Sequence, residues 1–164
     1  MLKVEGAENA KIYSGTTQEG IYHPEGGTIQ TMPKSGNGKE VVVNKTLDQQ
    51  IADGKNIYGR TCFACHQSEG QGIPGAFPPL VKSDFLNADP NRAINAVLHG
   101  LSGEITVNGK KFNSVMTSQN LTDQEISDVL TYVYNGWGNN KTKVTPEMVK
   151  TQRAKPAPKA KEMH

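Results

Sequence analysis

The sequence predicts a mostly α-helical domain, residues 46–140, between an extended N-terminal arm, residues 1–45, and a flexible C-terminal tail, residues 141–164. Three amphipathic patterns carry this prediction, and each begins at a recognisable helix start signal. Apolar residues follow each signal at spacings of three, four and seven, which place them on one face of a helix. The two flanking segments have no such period.

The first helix is predicted to begin after Thr46, a suitable N-cap, and to run directly into Cys62. Its apolar face is made of residues at helical spacing, namely Leu47, Ile51, Gly54, Ile57 and Tyr58. A long loop follows over residues 69–80, where three prolines and three glycines exclude regular structure. A loop of this length usually wraps another part of the molecule or a ligand.

The second helix is predicted to start at Asp89 and Pro90 and to end at Gly100, because proline favours the first helical turn and glycine the position past the end. The third is predicted to start at the capping box that Thr122 forms with Glu125, and to continue to Gly136.

The arm is rich in Gly, Thr, Lys and Glu and contains short β-type runs, without a core of its own. The tail is polar and rich in lysine. Because neither segment shows core periodicity, both residues 1–44 and residues 141–164 are expected to be dispensable for folding and cofactor binding.

Composition excludes several classes of protein. The net charge of +2, with basic residues scattered before residue 141, argues against nucleic acid as the partner. No apolar stretch reaches the roughly 20 residues needed to span a bilayer, and the first residues lack the apolar block of a signal peptide. Two cysteines close together in sequence rule out a disulfide framework.

The segment Cys62-Phe63-Ala64-Cys65-His66 is the signal for covalent attachment of one c-type haem. Two thiols three positions apart reach both vinyl groups from one turn, and the adjacent imidazole meets the iron. A thioredoxin-like dithiol would be expected near a βαβ pattern, which is absent. A structural zinc site needs four ligands at paired spacings, and the remaining histidines are badly spaced.

A sixth iron ligand is expected from elsewhere in the chain. Met116 is favoured because it lies in an irregular stretch just before the third helix, where a loop can bring a thioether to the iron. His99 is placed second, as a histidine at a helix end that the dipole favours. The other candidates are Met1, Met32, Met148, Met163, His23 and His164.

Residues 46–137 resemble class I cytochromes c. The resemblance is carried by Gly54-Lys55-Asn56-Ile57-Tyr58, by Phe77-Pro78-Pro79-Leu80, by Met116, and by Leu121-Thr122-Asp123-Gln124-Glu125 leading to Tyr132. It implies a class I cytochrome c fold in which the first and last helices cross at Gly54 and Tyr58, facing Val129 and Tyr132. It also implies that the Pro78 carbonyl orients His66, that Met116 is the axial thioether, and that Leu80 contacts the haem.

A narrower resemblance concerns a larger protein. Residues 2–15 are similar to the last strand and exit segment of the second cupredoxin domain of copper nitrite reductases, and the chain resembles the haem c domain fused to some of those enzymes. The resemblance implies that the domain delivers electrons to a type 1 copper in denitrification. A periplasmic location is expected because thioether attachment of haem takes place outside the cytoplasm in bacteria. No copper-ligand motif of such an enzyme lies in these residues, so nitrite reduction is not assigned to them.

Two alternatives stay open. The first is a cytochrome domain or subunit of another respiratory system, such as a quinoprotein dehydrogenase or a terminal oxidase. The second is a haem enzyme or gas sensor, in which Met116 does not bind and the iron is five-coordinate. Arg92, Asn113 and Trp137 are candidates for contacts with the haem propionates.

Overall fold

A computed structural model describes residues 44–159, so almost all of the predicted arm, together with Met163 and His164, lies outside the described residues. The elements, in chain order, are α1 (Leu47–Thr61), α2 (Phe63–His66), α3 (Asp84–Ala88), α4 (Pro90–His99), β1 (Ile105–Val107), β2 (Lys110–Phe112), α5 (Asp123–Asn135) and α6 (Pro146–Arg153). The prediction of a mostly helical domain is confirmed. Within residues 44–159, no helix is both long and apolar enough to cross a bilayer.

Both predicted capping residues begin their helices. The Thr46 hydroxyl accepts from the Gln49 backbone N–H, and the Gln49 side chain accepts from the Thr46 N–H at 2.9 Å. Thr122 and Glu125 form the same reciprocal pair at the start of α5. Each box satisfies two backbone donors that the first turn would otherwise leave without a partner.

Helices α1 and α5 cross at Gly54, where a Cβ atom would lie 2.1 Å from the Asp128 carbonyl oxygen. Only glycine permits this approach, which also brings the Tyr58 and Tyr132 rings to a centroid distance of 5.5 Å. The predicted apolar face of α1 is partly wrong, because Leu47 is 41% exposed. Gln50 is buried instead, and its amide donates to the Val144 carbonyl oxygen at 3.3 Å.

The main core lies between α1, α4 and α5, and a smaller cluster lies beneath a hairpin. The fully buried side chains of the main core include Ile94, Ile126 and Tyr134. The Tyr134 hydroxyl donates to the Leu86 carbonyl oxygen at 2.7 Å, which ties α5 to the short helix α3. This arrangement leaves α4 and α5 side by side along one wall of a cavity.

The hairpin formed by β1 and β2 was not among the predicted elements. Ile105 pairs with Phe112 in antiparallel register, and the turn between the strands is Asn108-Gly109, with φ of 50° and 75°. Asparagine followed by glycine is the sequence that such a two-residue turn favours. The strands are only three residues long, which is too short for a periodic pattern to stand out.

The prediction of a flexible tail is wrong for residues 141–153. Helix α6 begins at the N-cap Thr145, and Val144 and Val149 are both fully buried. Arg153 Nε donates to the Asp123 carboxylate at 2.7 Å, at the start of α5. The helix was missed because it buries few residues, Val149 and Gln152, so its apolar stripe is too narrow to stand out among lysines.

Candidate functional site

The end of α1 places the two thiols and the imidazole close together. Cys62 follows the last residue of α1, and the short helix α2 then turns the chain so that the N–H groups of Cys65 and His66 both donate to the Cys62 carbonyl oxygen, at 3.2 and 2.9 Å. One helical turn therefore carries all three groups. Burial raises the pKa of the Cys62 thiol, a hydrogen bond with Thr61 opposes this shift, and the neighbouring Cys65 adds to it.

The imidazole of His66 has a defined partner. Its Nδ1 lies 3.0 Å from the Pro78 carbonyl oxygen, which can only accept, so Nδ1 carries the hydrogen. Burial lowers the pKa of His66, and the bond to Pro78 opposes that shift without cancelling it. A neutral imidazole held by Nδ1 keeps the Nε2 lone pair available, and a backbone acceptor of this kind fixes a metal-ligating histidine and increases its basicity.

The glycine-rich loop between residues 69 and 80 doubles back to present that carbonyl. Gly72 has a φ of 65°, and a Cβ there would lie 2.4 Å from the Phe77 carbonyl oxygen. Further along, the N–H groups of Leu80 and Val81 both donate to the Gly70 carbonyl oxygen, at 2.7 and 3.1 Å. The loop is thus closed at both ends by its own backbone hydrogen bonds.

Met116 is held by an antiparallel bridge to Leu101, with N–H to carbonyl distances of 2.9 and 2.8 Å in the two directions. The next turn is fastened to α4, since the Gln119 N–H donates to the Val97 carbonyl oxygen at 2.9 Å. The stretch that carries Met116 is therefore firmly positioned, although it belongs to no helix. His99 ends α4 with an exposed side chain and does not line the cavity described next.

His66, Pro78 and Met116 all line one mostly apolar cavity. It encloses about 730 Å³ of empty space, part of it open to solvent. Of the predicted site residues, Cys62, His66, Pro78, Leu80 and Met116 line it, whereas Cys65 is one residue before His66 and is not in the lining. The rest of the lining comes from Pro79, Ser83, Phe85, Leu86, Ala93, Ala96, Val97, Leu101, Ile105, Val107, Val129, Leu130 and Val133.

The donor set and the cavity fit a haem. The walls of the cavity are almost entirely apolar, which suits the faces of a macrocycle. Arg92 adds an unpaired donor, because its Nε is buried without a hydrogen-bond partner within the described residues. Its guanidinium carbon lies 3.7 Å from the centroid of the Phe85 ring, which lines the cavity, so a carboxylate beside that ring would meet a positive charge.

The other two propionate candidates lie in different surroundings. Asn113 is exposed, and Trp137 packs its ring against Tyr58 and Tyr132 at centroid distances of 5.3 and 5.4 Å. Neither lines the cavity. Within residues 44–159, no three His, Cys, Asp or Glu side chains converge as a metal site.

Several lining residues were not identified from the sequence. Ala93, Val97, Val129 and Val133 belong to the second and third predicted helices, which were not assigned to a cofactor site. Ser83 and the hairpin residues Ile105 and Val107 were missed altogether. The Asn-Gly turn was the available signal for the hairpin, and no local signal marks Ser83 as a lining residue, because its place there depends on contacts with distant parts of the chain.

Comparison with known proteins gives the same picture. The family model described as Cytochrome c matches residues 51–137. Cytochrome c-552 of Thermus thermophilus is 45% identical over 114 residues, covering 63% of this chain and 86% of the relative. The fructose dehydrogenase cytochrome subunit of Gluconobacter japonicus is 31% identical over 151 residues, covering 88% of this chain and 30% of the relative.

A third relative, the Cbb3-type cytochrome c oxidase subunit CcoP of Azospirillum sp. (strain B510), is 27% identical over 157 residues, covering 79% of this chain and 49% of the relative. This chain thus spans less than half of the dehydrogenase and oxidase subunits it matches. The family model covers more than half of the described domain and the cytochrome c-552 match covers most of that protein. The chain therefore belongs to the cytochrome c family and binds one haem c covalently.

Proposed function

We propose that this domain is a single-electron carrier in which His66 and Met116 are the two axial ligands of the haem iron. The observation that carries the proposal is that His66 and Met116 line one apolar cavity. The His66 imidazole is oriented by the Pro78 carbonyl, and the Met116 backbone is paired with that of Leu101. Haem c supplies a one-electron ferric/ferrous couple, and a thioether opposite an imidazole raises its reduction potential.

The chain's own residues would do the remaining work. Cys62 and Cys65 form the thioether bonds, and Arg92 pairs with a propionate beside Phe85. Apolar residues of α4, α5 and the hairpin exclude water, which disfavours the more highly charged ferric state. With both axial positions filled by side chains, the domain has no open position for a substrate, so we assign it electron transfer and no catalysis.

The axial assignment is tested by replacing Met116 with Ala and with His in the holo-protein. Loss of the thioether should lower the reduction potential in both variants, and Met116→Ala should also let carbon monoxide bind the ferrous form. Met148→Leu is the matched control, because Met148 is a partly buried methionine in α6 that does not line the cavity. If the unmodified ferrous protein binds carbon monoxide readily, the five-coordinate enzyme or sensor is the better assignment.

The attachment residues are tested by Cys62→Ser and Cys65→Ser. Each variant should retain one thioether bond, and the double variant should release its haem into acidified organic solvent after denaturation. Release from the unmodified protein under the same conditions would contradict covalent attachment.

We further propose that the electron passes to a second redox centre of a larger protein or complex outside the cytoplasm, in the periplasm. Haem attachment to thiols takes place there in bacteria. The similarity of residues 2–15 to the exit segment of a cupredoxin domain supports the type 1 copper of a fused nitrite reductase as the acceptor. The dehydrogenase and oxidase subunits among the relatives support the alternative, a cytochrome domain in one of those systems.

The open reading frame upstream of Met1 separates these two partners. A pair of cupredoxin domains there would support the nitrite reductase, and stopped-flow reduction of the intact protein should then show the haem oxidised as the copper is reduced. An upstream sequence without copper-ligand motifs would exclude the fusion and leave the dehydrogenase or oxidase partner.

A further inference from the structure

Asn139 uses its whole side-chain amide to join two parts of the fold. Its Nδ2 donates to the carbonyl oxygens of Leu80 and Val133, at 2.9 and 3.0 Å. Its Oδ1 accepts from the Ser83 N–H at 3.2 Å and from Asn87 Nδ2 at 3.1 Å. The residue is 8% exposed, so water competes little for these four bonds. Asn139 thus fastens the segment that follows the glycine-rich loop to the end of α5.

The backbone beside Asn139 reinforces the same connection. The Lys82 N–H donates to the Trp137 carbonyl oxygen at 3.2 Å. The Trp137 ring lies so close to Gly70 that a Cβ there would be 2.7 Å from it. Because the Gly70 carbonyl oxygen accepts from Leu80, the segment from Leu80 to Ser83 is held between the start of its own loop and residues 137–139.

This segment begins two residues after Pro78, whose carbonyl oxygen accepts from His66 Nδ1 at 3.0 Å. The intervening residue is Pro79, which has a fixed φ and no N–H. A displacement of Leu80 is therefore passed on in part to the Pro78 carbonyl, because Pro79 can absorb it by rotation about ψ but not about φ. The bond from Asn139 to Leu80 is the side-chain contact that opposes such a displacement.

We propose that Asn139 is a positioning residue for the axial histidine: it keeps the Pro78 carbonyl in place and thereby sets the strength of the His66 Nδ1 hydrogen bond. A stronger bond makes the imidazole a better electron donor and stabilises the ferric state, so Asn139 lowers the reduction potential of the domain. This inference rests on the proposed function, because it requires His66 to be an iron ligand.

The test compares Asn139→Leu and Asn139→Ala in the ferrous holo-protein with the matched control Asn135→Leu. Asn135 is the last residue of α5 and, like Asn139, donates to two carbonyl oxygens, but these belong to Thr131 and Thr142 and not to the loop. Asn139→Ala removes the donor to Leu80 without adding bulk or charge, so it tests the same bond if the leucine variant fails to fold. NMR measures solvent exchange of the His66 Nδ1 proton, and potentiometry measures the reduction potential.

We expect the His66 Nδ1 proton to exchange at least about tenfold faster in the Asn139 variants, since exchange reports local opening, and the reduction potential to rise. Asn135→Leu should lower thermal stability without either change. Exchange in the Asn139 variants within about twofold of the unmodified protein would overturn the inference. If the unmodified ferrous protein binds carbon monoxide readily, the axial-ligand proposal itself fails, which is a separate outcome.

Discussion

Gly100 and Met116 approach through their backbones: a Cβ atom on residue 100 would lie 2.6 Å from the Met116 carbonyl oxygen. Gly100 also has a φ of 80°, which residues with a side chain rarely adopt. The glycine that ends α4 thus serves two purposes, because it terminates the helix and leaves room for the segment that carries the proposed axial thioether.

Gly100→Ala should therefore push the Met116 segment away from α4. We expect a loss of about 1–3 kcal/mol of unfolding free energy from backbone strain, and carbon monoxide binding to the ferrous form, because the thioether is displaced. The control is Gly59→Ala, at an exposed helical position where a Cβ meets no atom within 4 Å. That change should stabilise the protein by up to about 1 kcal/mol and leave gas binding unchanged.

Helix α6 is predicted to contribute to the stability of the domain. Val149→Ala should cost about 2 kcal/mol, since it removes two fully buried methyl groups from the core. Val115→Ala, at a side chain that is 68% exposed, should change stability by less than about 0.5 kcal/mol. Chemical denaturation of the oxidised protein measures both values, and equal effects would mean that α6 packs only loosely.

Lys45 is predicted to stabilise the domain mainly through its ion pair with one buried residue, Asp128. Its Nζ lies 2.5 Å from the Asp128 carboxylate, which is 1% exposed, and 2.7 Å from the Asp53 carboxylate, which is 49% exposed. Lys45→Met removes the cationic partner of the buried Asp128 carboxylate, which keeps the amide donors Gln50 and Gln124, and should cost about 3 kcal/mol. Asp53→Asn should cost less than about 1 kcal/mol, as expected for an exposed ion pair.

The ionisation of Lys45 should also make the stability of the domain depend on pH. Burial lowers the pKa of Lys45, but the hydrogen bonds to Asp128 and Asp53 outweigh it, and the folded-state pKa is raised above 10.5. Its contribution to stability is therefore complete below pH 10.5 and is lost as the pH rises through the higher folded-state value. Denaturation followed from pH 8 to pH 11.5, roughly spanning lysine titration, should show a decline that is shallower in Lys45→Met. A decline remains in that variant because burial raises the pKa values of Tyr58 and Tyr134, and these contribute in both proteins.

Electron exchange through the segments that carry the proposed haem-binding residues is predicted to depend little on salt. These segments are 61–68, 69–81 and 112–122, and together they contain one charged side chain, that of Glu69. Exposed apolar side chains lie in these segments, with Phe63 47%, Ile73 37% and Val115 68% exposed. The last two segments meet where the Ser114 hydroxyl donates to the Ala76 carbonyl oxygen. Electron self-exchange, measured by NMR, should vary less than about threefold between low and high ionic strength.

Val115→Lys should slow self-exchange about tenfold at low salt, since like charges would then face each other across two copies, and salt should restore the rate. Leu47→Lys is the matched control: it adds the same charge at an equally apolar, 41% exposed residue in the first turn of α1, a full helix length from Cys62. Similar slowing by both substitutions would place electron exchange elsewhere on the surface.

Local signals in the sequence determined those features that depend on interactions between residues only a few positions apart. Both capping boxes act over three residues, and the helix that starts at Pro90 and ends before Gly100 follows from the conformations those two residues allow. The haem motif is of the same kind, because one helical turn brings two thiols and an imidazole together without help from the rest of the chain. Fold class and cofactor could therefore be predicted.

Only the tertiary structure decided the features that depend on distant contacts. Val149 becomes a core residue because α6 packs against α4 and α5. The apolar stripe of α6 is too narrow to show a helical period in the sequence. Gln50 replaces Leu47 on the buried face of α1 because Ser127, Asp128 and the Val144 carbonyl offer it hydrogen bonds from more than 70 residues away. Asn139 likewise has hydrogen-bond partners that lie far from it in the sequence or outside its own segment. Such hydrogen bonds form only when the chain has folded, so no local pattern predicts them.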